Sequence, residues 1–371
     1  MTAAFASHAM LSGLLGPWIP GLKARTGIDA SGLGVALMAF AAGLLFGTRL
    51  AGPAVRRLGG RTIVRGGLVV MAAGFASLPL AVDLATLAAI FLAIGATAGL
   101  VDVAMNIEAV AVERRFGRRV MTAIHGTWSV ALFVGAGIAS LGIAARIPIG
   151  VHLPIAGALI VALGSALLRW LPRGDEAASA VAPSGTVHRP ASASVVALLC
   201  LIAAGSFLME GIAMEWSAVY LREALGARPA VGGLGVVAFS AGMATTRFVG
   251  DRLVGRFGQP AVVRAGAGAA VIALGGMLLL PSVPGTIVAF AMVGLGIGPV
   301  VPLAFRSAGS VERAGGRSAL PAVVTAGYAG SIVGPLIVGF LADRVGLRGA
   351  FVVPLIAVAA AAFAAAATRD R

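Results

Sequence analysis

The sequence predicts an all-α membrane protein: twelve transmembrane helices arranged as two parallel six-helix repeats. Three observations predict it. The chain of 371 residues is 59% hydrophobic and 11% charged, with a mean hydropathy of +1.00; a soluble domain carries roughly 25% charge. The apolar residues fall in blocks of about twenty, long enough to cross ~30 Å of hydrocarbon as a helix. A series of short motifs in the first half also recurs in the second at a nearly constant offset.

The first block, 3–22, has no basic run before it and no cleavage site after it, so it reads as a retained span and not a leader. Spans 32–52 and 62–81 follow, separated by Arg56, Arg57 and Arg61. Span 84–112 carries an acid, Asp102, inside its apolar run, and spans 120–143 and 149–171 complete the first half. Pro172, Gly174, Asp175, Glu176, Pro183, Ser184, Gly185 and Pro190 then break the pattern, as expected of a flexible cytoplasmic linker over 172–193. The second half reads as spans 194–221, 231–249, 261–281, 285–308, 319–341 and 349–367. The expected domains are therefore 1–171 and 194–371.

Glycine is abundant, with 53 residues. Gly43-x-x-x-Gly47, Gly95-x-x-x-Gly99 and Gly330-x-x-x-Gly334-Pro335 are close-packing signals. Gly294-Leu295-Gly296-Ile297-Gly298-Pro299 has the look of a nucleotide loop, but no strand precedes it and it lies in a span, so it reads as packing and bending.

The net charge of +14 raises the question of nucleic acid, and its distribution answers it. With the N-terminus inside, 21 basic residues fall on the cytoplasmic side and 7 outside, accounting for all 28. This is the positive-inside bias of a multi-pass protein with both termini in the cytoplasm. The basic charge serves orientation and contact with anionic membrane lipids. Cys200 is the single cysteine and has no partner for an internal disulfide. No metal-ligand spacing, nucleophile elbow or phosphate loop is present, and the four histidines, His8, His125, His152 and His188, are scattered over different elements. Neither an enzyme nor a cofactor is expected. The expected partners are a small-molecule substrate, protons and lipids, and the expected state is a monomer in the cell (inner) membrane.

The repeat is legible in order and spacing. Thr48-Arg49-Leu50-Ala51-Gly52, Arg57-Leu58-Gly59 and Arg65-Gly66-Gly67 recur as Thr246-Arg247-Phe248-Val249-Gly250, Arg256-Phe257-Gly258 and Arg264-Ala265-Gly266. The offset is 198 and then 199; Phe40-Ala41-Ala42-Gly43 matches Phe239-Ser240-Ala241-Gly242 at 199. Two parallel repeats of six spans are a transporter architecture.

Asp102 is the most informative residue. An ionisable group deep in a bilayer costs roughly 2.5–3.5 kcal/mol on insertion scales. It lies about eleven residues, or ~16 Å, from the cytoplasmic helix end, in a medium that favours a neutral acid over an ion. Asn106 is one turn away on the same face. The functional reading is proton or substrate coupling; the alternative is a structural hydrogen bond locking span four to a neighbour. Glu108 faces another way, at a depth similar to His125, and their pairing reads equally as gate packing or proton relay. Trp18 and Trp170 stand at span ends as interfacial belt residues. His8, in span one, reads as a neutral, hydrogen-bonded histidine. Glu215 reads as pairing with Arg222 or reaching water.

Over essentially the whole chain these features resemble the major facilitator superfamily. Its signature between spans two and three is Gly-x-Leu-Ala-Asp-Arg-x-Gly-Arg-Arg, against Gly52-Pro53-Ala54-Val55-Arg56-Arg57-Leu58-Gly59-Gly60-Arg61 here. Arg56 stands in the place of the Asp, and the second copy has Gly255 there with Asp251 displaced. Arg49, Arg247, Asp251 and Glu108 are the gate candidates. A fuller match, Gly339-Phe340-Leu341-Ala342-Asp343-Arg344-Val345-Gly346, follows span eleven on the side expected to be outside. The finer resemblance is to the fucose permease-like branch of sugar–proton symporters and its bacterial relatives. It rests on Asp102 with Asn106 in span four and Glu210 with Trp216 in span seven. It implies proton coupling at Asp102 and Glu210, and cavity positions at His125 and Trp128 at the start of span five. That branch's span-one acid falls on Gly16. Trp128, Trp216 and Tyr328 suit stacking on a ligand as well as packing. Drug–proton antiporters carry Gly-x-x-x-Gly-Pro in span five; Gly135-Ala136-Gly137 here lacks the proline.

The expected function is secondary active transport of a small solute, a sugar or related polar metabolite, by alternating access and proton-coupled symport. The rivals are a proton-coupled exporter of drugs or metabolites and a non-transporting membrane sensor.

Overall fold

The structure is a computed structural model that describes residues 1–116, 121–168, 189–190, 192–313 and 317–368. The expected linker over 172–188, Trp170, His188 and Arg118, Arg119, Arg169, Arg173, Arg369 and Arg371 lie outside the described residues, as do the side chains of Arg114, Arg115, His125, Arg189, Arg313 and Arg317.

Among the described residues fifteen α-helices run in chain order. In the first half they are α1 (Thr2–Gly13), α2 (Leu15–Thr26), α3 (Ala30–Leu58), α4 (Gly60–Ser77), α5 (Leu84–Phe116), α6 (Met121–Ala144) and α7 (Ile149–Leu168). In the second they are α8 (Ala193–Val219), α9 (Pro229–Gly232), α10 (Leu234–Phe257), α11 (Gln259–Leu279), α12 (Val283–Ile297), α13 (Val300–Gly309), α14 (Leu320–Ala350) and α15 (Val352–Ala364). Three short strands, β1 (Arg189–Pro190), β2 (Val311–Arg313) and β3 (Arg317–Ser318), form a small sheet in which β2 pairs parallel with β1 and antiparallel with β3. β1 gives extended structure to a stretch expected to be plain linker.

Ten helices among the described residues are long and apolar enough to cross a membrane. The expected spans 3–22 and 349–367 correspond to α1 with α2 and to the shorter apolar stretch Val352–Thr368. The break between α1 and α2 follows from proline chemistry: Pro17 has no N–H for the Gly13 carbonyl, and Pro20 none for Gly16. Pro299 does the same to the Leu295 carbonyl and separates α12 from α13. Some other starts are capped by a side chain. Asp29 Oδ1 accepts from the Gly32 amide at 2.7 Å to open α3, and Asp83 Oδ1 accepts from the Thr86 amide at 2.8 Å to open α5. Large apolar side chains lie fully outward, such as Leu141 at 71% and Phe363 at 88% exposure. A surface of this kind suits lipid.

The chain divides into two compact units, Met1–Pro183 with Pro229–Gly233, and Ser184–Arg228 with Leu234–Arg371. In the first unit α3 packs on α5 so closely that a Cβ on Gly43 would meet the Leu92 carbonyl and the Ala96 amide, and one on Gly95 the Phe40 carbonyl and the Leu44 amide. In the second unit a Cβ on Gly242 would meet Ala291 and Leu295, and one on Gly294 would meet Phe239 and Met243, from α10 and α12. Each residue of the second set is the first set's number plus 199, the offset read in the sequence. The duplication is thus repeated backbone contact by backbone contact.

A second device also repeats. Gly59 (φ 79°, ψ 142°) separates α3 from α4, and Gly258 (φ 80°, ψ 155°) separates α10 from α11. Gly346 (φ 75°, ψ 162°) breaks α14 in the same way. Each follows an Arg and an apolar residue, and each adopts a backbone that side chains oppose and glycine tolerates.

Candidate functional site

In the first unit, glycines draw α1 onto α6. A Cβ on Gly13 would meet the Leu132 carbonyl, and one on Gly135 the Met10 carbonyl. This close approach sets His8 of α1 beside Trp128 of α6. The Trp128 indole Nε1 donates to His8 Nδ1 at 3.5 Å, and His8 Nε2 lies 3.3 Å from the Ala98 carbonyl of α5. A carbonyl accepts only, so Nε2 carries the proton, and Nδ1, receiving the indole N–H, does not. The neutral histidine expected from sequence fits both contacts.

Ala98 stands one turn before Asp102 on α5, so the contact with its carbonyl brings His8 to the same stretch of that helix. On the other side of Asp102, the Asn106 amide donates to the Asp102 carbonyl at 2.8 Å and reaches its Oδ1 at 3.4 Å. The same-face placement of Asp102 and Asn106 therefore becomes a hydrogen-bonded pair, and His8 with Trp128 extends it across three helices. His8 is 6% exposed. Sequence reasoning placed it in span one but had no signal linking it to Asp102, because that link depends on how α1 packs on α5.

Glu108 sits elsewhere. Its carboxylate lies against Gly60, the first residue of α4, in the space where a side chain would project. A carboxylate there faces the positive end of the helix dipole and the free amides of its first turn. Glu108 of α5 thus lies against the start of α4; its expected counterpart, the His125 side chain, lies outside the described residues. Trp18, expected at a span end, donates its Nε1 to His152 Nδ1 at 3.3 Å, tying α2 to α7.

In the second unit Glu210 and Arg247 form an ion pair, Arg247 Nη2 lying 3.8 Å from Glu210 Oε1, with side-chain exposures of 20% and 22%. Arg247 Nε also reaches the Gly298 carbonyl at 3.5 Å. A residue expected at the proton site and a residue expected at the gate are therefore joined. Arg49, the repeat partner of Arg247, is exposed instead. The reason is legible: the offset that relates the two arginines carries Glu210 onto Ser12 or Leu11, neither of them an acid. Asp251 pairs with Arg306 at 3.6 Å on an exposed surface.

Tyr328 of α14 packs against Phe207 of α8, ring centroids 5.7 Å apart, and Phe207 stacks on Phe305 at 6.0 Å. Trp216 is fully buried, so no ring face is accessible, and its Nε1 has no hydrogen-bond partner among the described residues. Glu215 makes no ion pair with Arg222: its Oε2 is buried without a partner, contrary to the surface reading. A cavity of about 350 Å³ lies between α10, α11 and α12, lined by Leu253, Phe257, Val262, Leu295 and Pro299, with Thr246 its one hydroxyl. Its lining is too apolar to select a polar solute. Among the described residues no group of three or more His, Cys, Asp or Glu is placed to hold a metal ion.

The sequence pattern of the Major Facilitator Superfamily fits residues 1–307 and again residues 198–371. The chain belongs to the major facilitator superfamily. It is a multi-pass membrane transporter and not an enzyme. An uncharacterised MFS-type transporter of Yersinia pestis is 34% identical over 361 residues, covering 95% of this chain and 91% of that one. The membrane protein MosC of Rhizobium meliloti is 30% identical over 355 residues, covering 93% and 84%. The solved structure of the nucleoside transporter NupG superposes with a TM-score of 0.70 at 14% identity, covering 99% of this chain and 96% of that one. The human organic anion transporter MFSD10 superposes with a TM-score of 0.66 at 18% identity, covering 98% and 97%. The two fitted regions overlap across 198–307, in the second copy of the repeat read in the sequence.

Proposed function

We propose that this major facilitator protein moves a small polar solute, a sugar or related metabolite, by proton-coupled symport, with Asp102 as the coupling residue. The observation that carries the reading is the cluster of Asp102, Asn106, His8 and Trp128. An acid inside an apolar helix is expensive as an ion; here its Oδ1 lies 3.4 Å from the Asn106 amide, and His8 contacts the Ala98 carbonyl one turn before it. Such a carboxyl can accept a proton and reorganise its hydrogen bonds when it does so. Asn106 offers a polar contact and Trp128 and Tyr328 offer rings that suit the apolar face of a sugar. NupG, named as a nucleoside transporter, shares the fold at an identity too low to bear on substrate. Alternating access follows as the working cycle of a duplicated transporter.

Glu210 takes a different part from the one the resemblance implies. Its partnership with Arg247 supports a charge pair that a polar solute opens, in place of a proton carrier. Export is the competing direction, and the missing proline after Gly135 weighs against it.

The experiment has two stages. A thermal-shift screen of the purified protein against sugars, organic acids and drugs identifies the ligand class. Flux of the stabilising compound into proteoliposomes is then followed under pH gradients of either sign. Symport predicts accumulation on the alkaline side, and export predicts the reverse.

A further inference from the structure

We propose that Glu215, and not Glu210, is the proton-holding carboxyl of the second unit. The two acids are five residues apart on α8 and meet opposite environments. Glu210 faces Arg247 at 3.8 Å and keeps about a fifth of its surface open. The Glu215 Oε2 is buried and has no hydrogen-bond donor among the described residues. A buried carboxylate without a partner costs several kcal/mol as an ion, and the group takes up a proton instead.

Among the described residues of the elements packed against α8, no cation pairs with Glu215. The charged groups on the elements packed against α8 are engaged elsewhere or point outward. On α10, Arg247 is held by Glu210 and the Gly298 carbonyl, and Asp251 pairs with Arg306 of α13. On α14, Arg344 donates to the Phe340 carbonyl at 3.0 Å, Arg348 donates to the Leu278 carbonyl at 2.6 Å, and Asp343 is exposed. α15 carries no charge. Beyond α8, the π-helical turn Tyr220–Ala224 carries Arg222, which forms no salt bridge with Glu215, and an exposed acid, Glu223. The surroundings are themselves short of partners: Trp216 Nε1, the Ser217 hydroxyl and the Tyr220 hydroxyl are also buried without a hydrogen-bond partner among the described residues. The chemistry is a proton transfer alone. The carboxyl O–H breaks, the proton passes to water, and a carboxylate remains.

The proposal rests on the proton-coupled reading for its use in transport, but the protonation itself is measurable without any substrate. The full-length protein carrying Asp102→Asn is reconstituted in lipid, and its infrared spectrum is recorded against pH at neutral and alkaline values. The expected result is a protonated-carboxyl C=O stretch at neutral pH. It is lost in Glu215→Gln, shifted in frequency in Glu215→Asp, and unchanged in Glu210→Gln. A band that survives Glu215→Gln, or its absence from the Glu215-containing protein, overturns the proposal. If Glu215→Gln does not fold, the frequency shift in Glu215→Asp decides in its place: a shifted band supports the proposal and an unshifted one overturns it. The Asp102→Asn background removes that group's own band, so a failure here is distinct from a failure of the Asp102 reading.

Discussion

At the scale of single residues, the second-unit ion pair makes the cleanest prediction. Glu210→Gln leaves Arg247 partly buried beside a neutral amide, and this is expected to cost on the order of 1–2 kcal/mol. The double variant Glu210→Gln with Arg247→Met is expected to recover part of that loss, because no charge is then left unpaired. A thermal-shift double-mutant cycle measures it; strictly additive losses would show that the two side chains are not coupled. At this scale the sequence was informative about residue type and poor about partners. Asp102 and Asn106 announced themselves, since a carboxyl in an apolar block and an amide one turn away are visible without coordinates. The join of Glu210 to Arg247 was not visible, because it depends on the depth at which α8 and α10 pass each other. The same holds for His8, whose tie to the Ala98 carbonyl exists only once α1 lies on α5.

At the scale of elements, helix ends and helix crossings carry the fold. The crossings of α3 with α5 and of α10 with α12 leave no room for a side chain against the facing carbonyl. Gly95→Val and Gly294→Val therefore collide with backbone, which cannot rotate away as a side chain does. Each is expected to exceed the usual 1–3 kcal/mol of core overpacking. Gly275→Val, which has open space around it, is the control. Melting temperature and monodispersity of the purified variants read the difference, and similar losses at the two paired glycines are the signature of the duplication. The start of α5 gives a pH-dependent test. The Asp83 carboxylate accepts from the Thr86 amide and hydroxyl, at 2.8 and 2.7 Å, and these bonds hold it below the usual carboxylate range. A carboxyl whose folded value is depressed contributes stability above its unfolded value and loses it as pH falls through the folded one. Asp83→Ala is expected to lower the melting temperature at neutral pH and to converge with the parent in acid. An equal loss at both pH values would rule out the cap as its cause. The twelve apolar blocks forecast these elements well, because hydrocarbon thickness fixes their length. The breaks at Gly13–Leu15 and at Ile297–Val300 lie inside blocks, where hydropathy is blind and only the prolines mark them.

At the scale of the whole molecule, the repeat and the charge asymmetry are what a duplicated membrane transporter requires. The motif offset of 198 to 199 seen along the chain reappears as paired backbone contacts. The two units are nevertheless chemically unequal. The first holds the Asp102 carboxyl beside Asn106; the second holds an ion pair between α8 and α10 and a second acid, Glu215, with a buried oxygen on α8. This division of labour suits a cycle in which protons and solute are handled by residues that the duplication has since differentiated. The central claim is that Asp102 couples proton movement to solute movement. Its most direct measurement is uptake into proteoliposomes of the compound identified by thermal shift, driven by an imposed pH gradient, with Asp102→Asn beside the parent. The account predicts that the parent accumulates the solute above equilibrium and that the variant only equilibrates it, while still exchanging labelled for unlabelled solute. A variant that continues to accumulate solute against its gradient would contradict it.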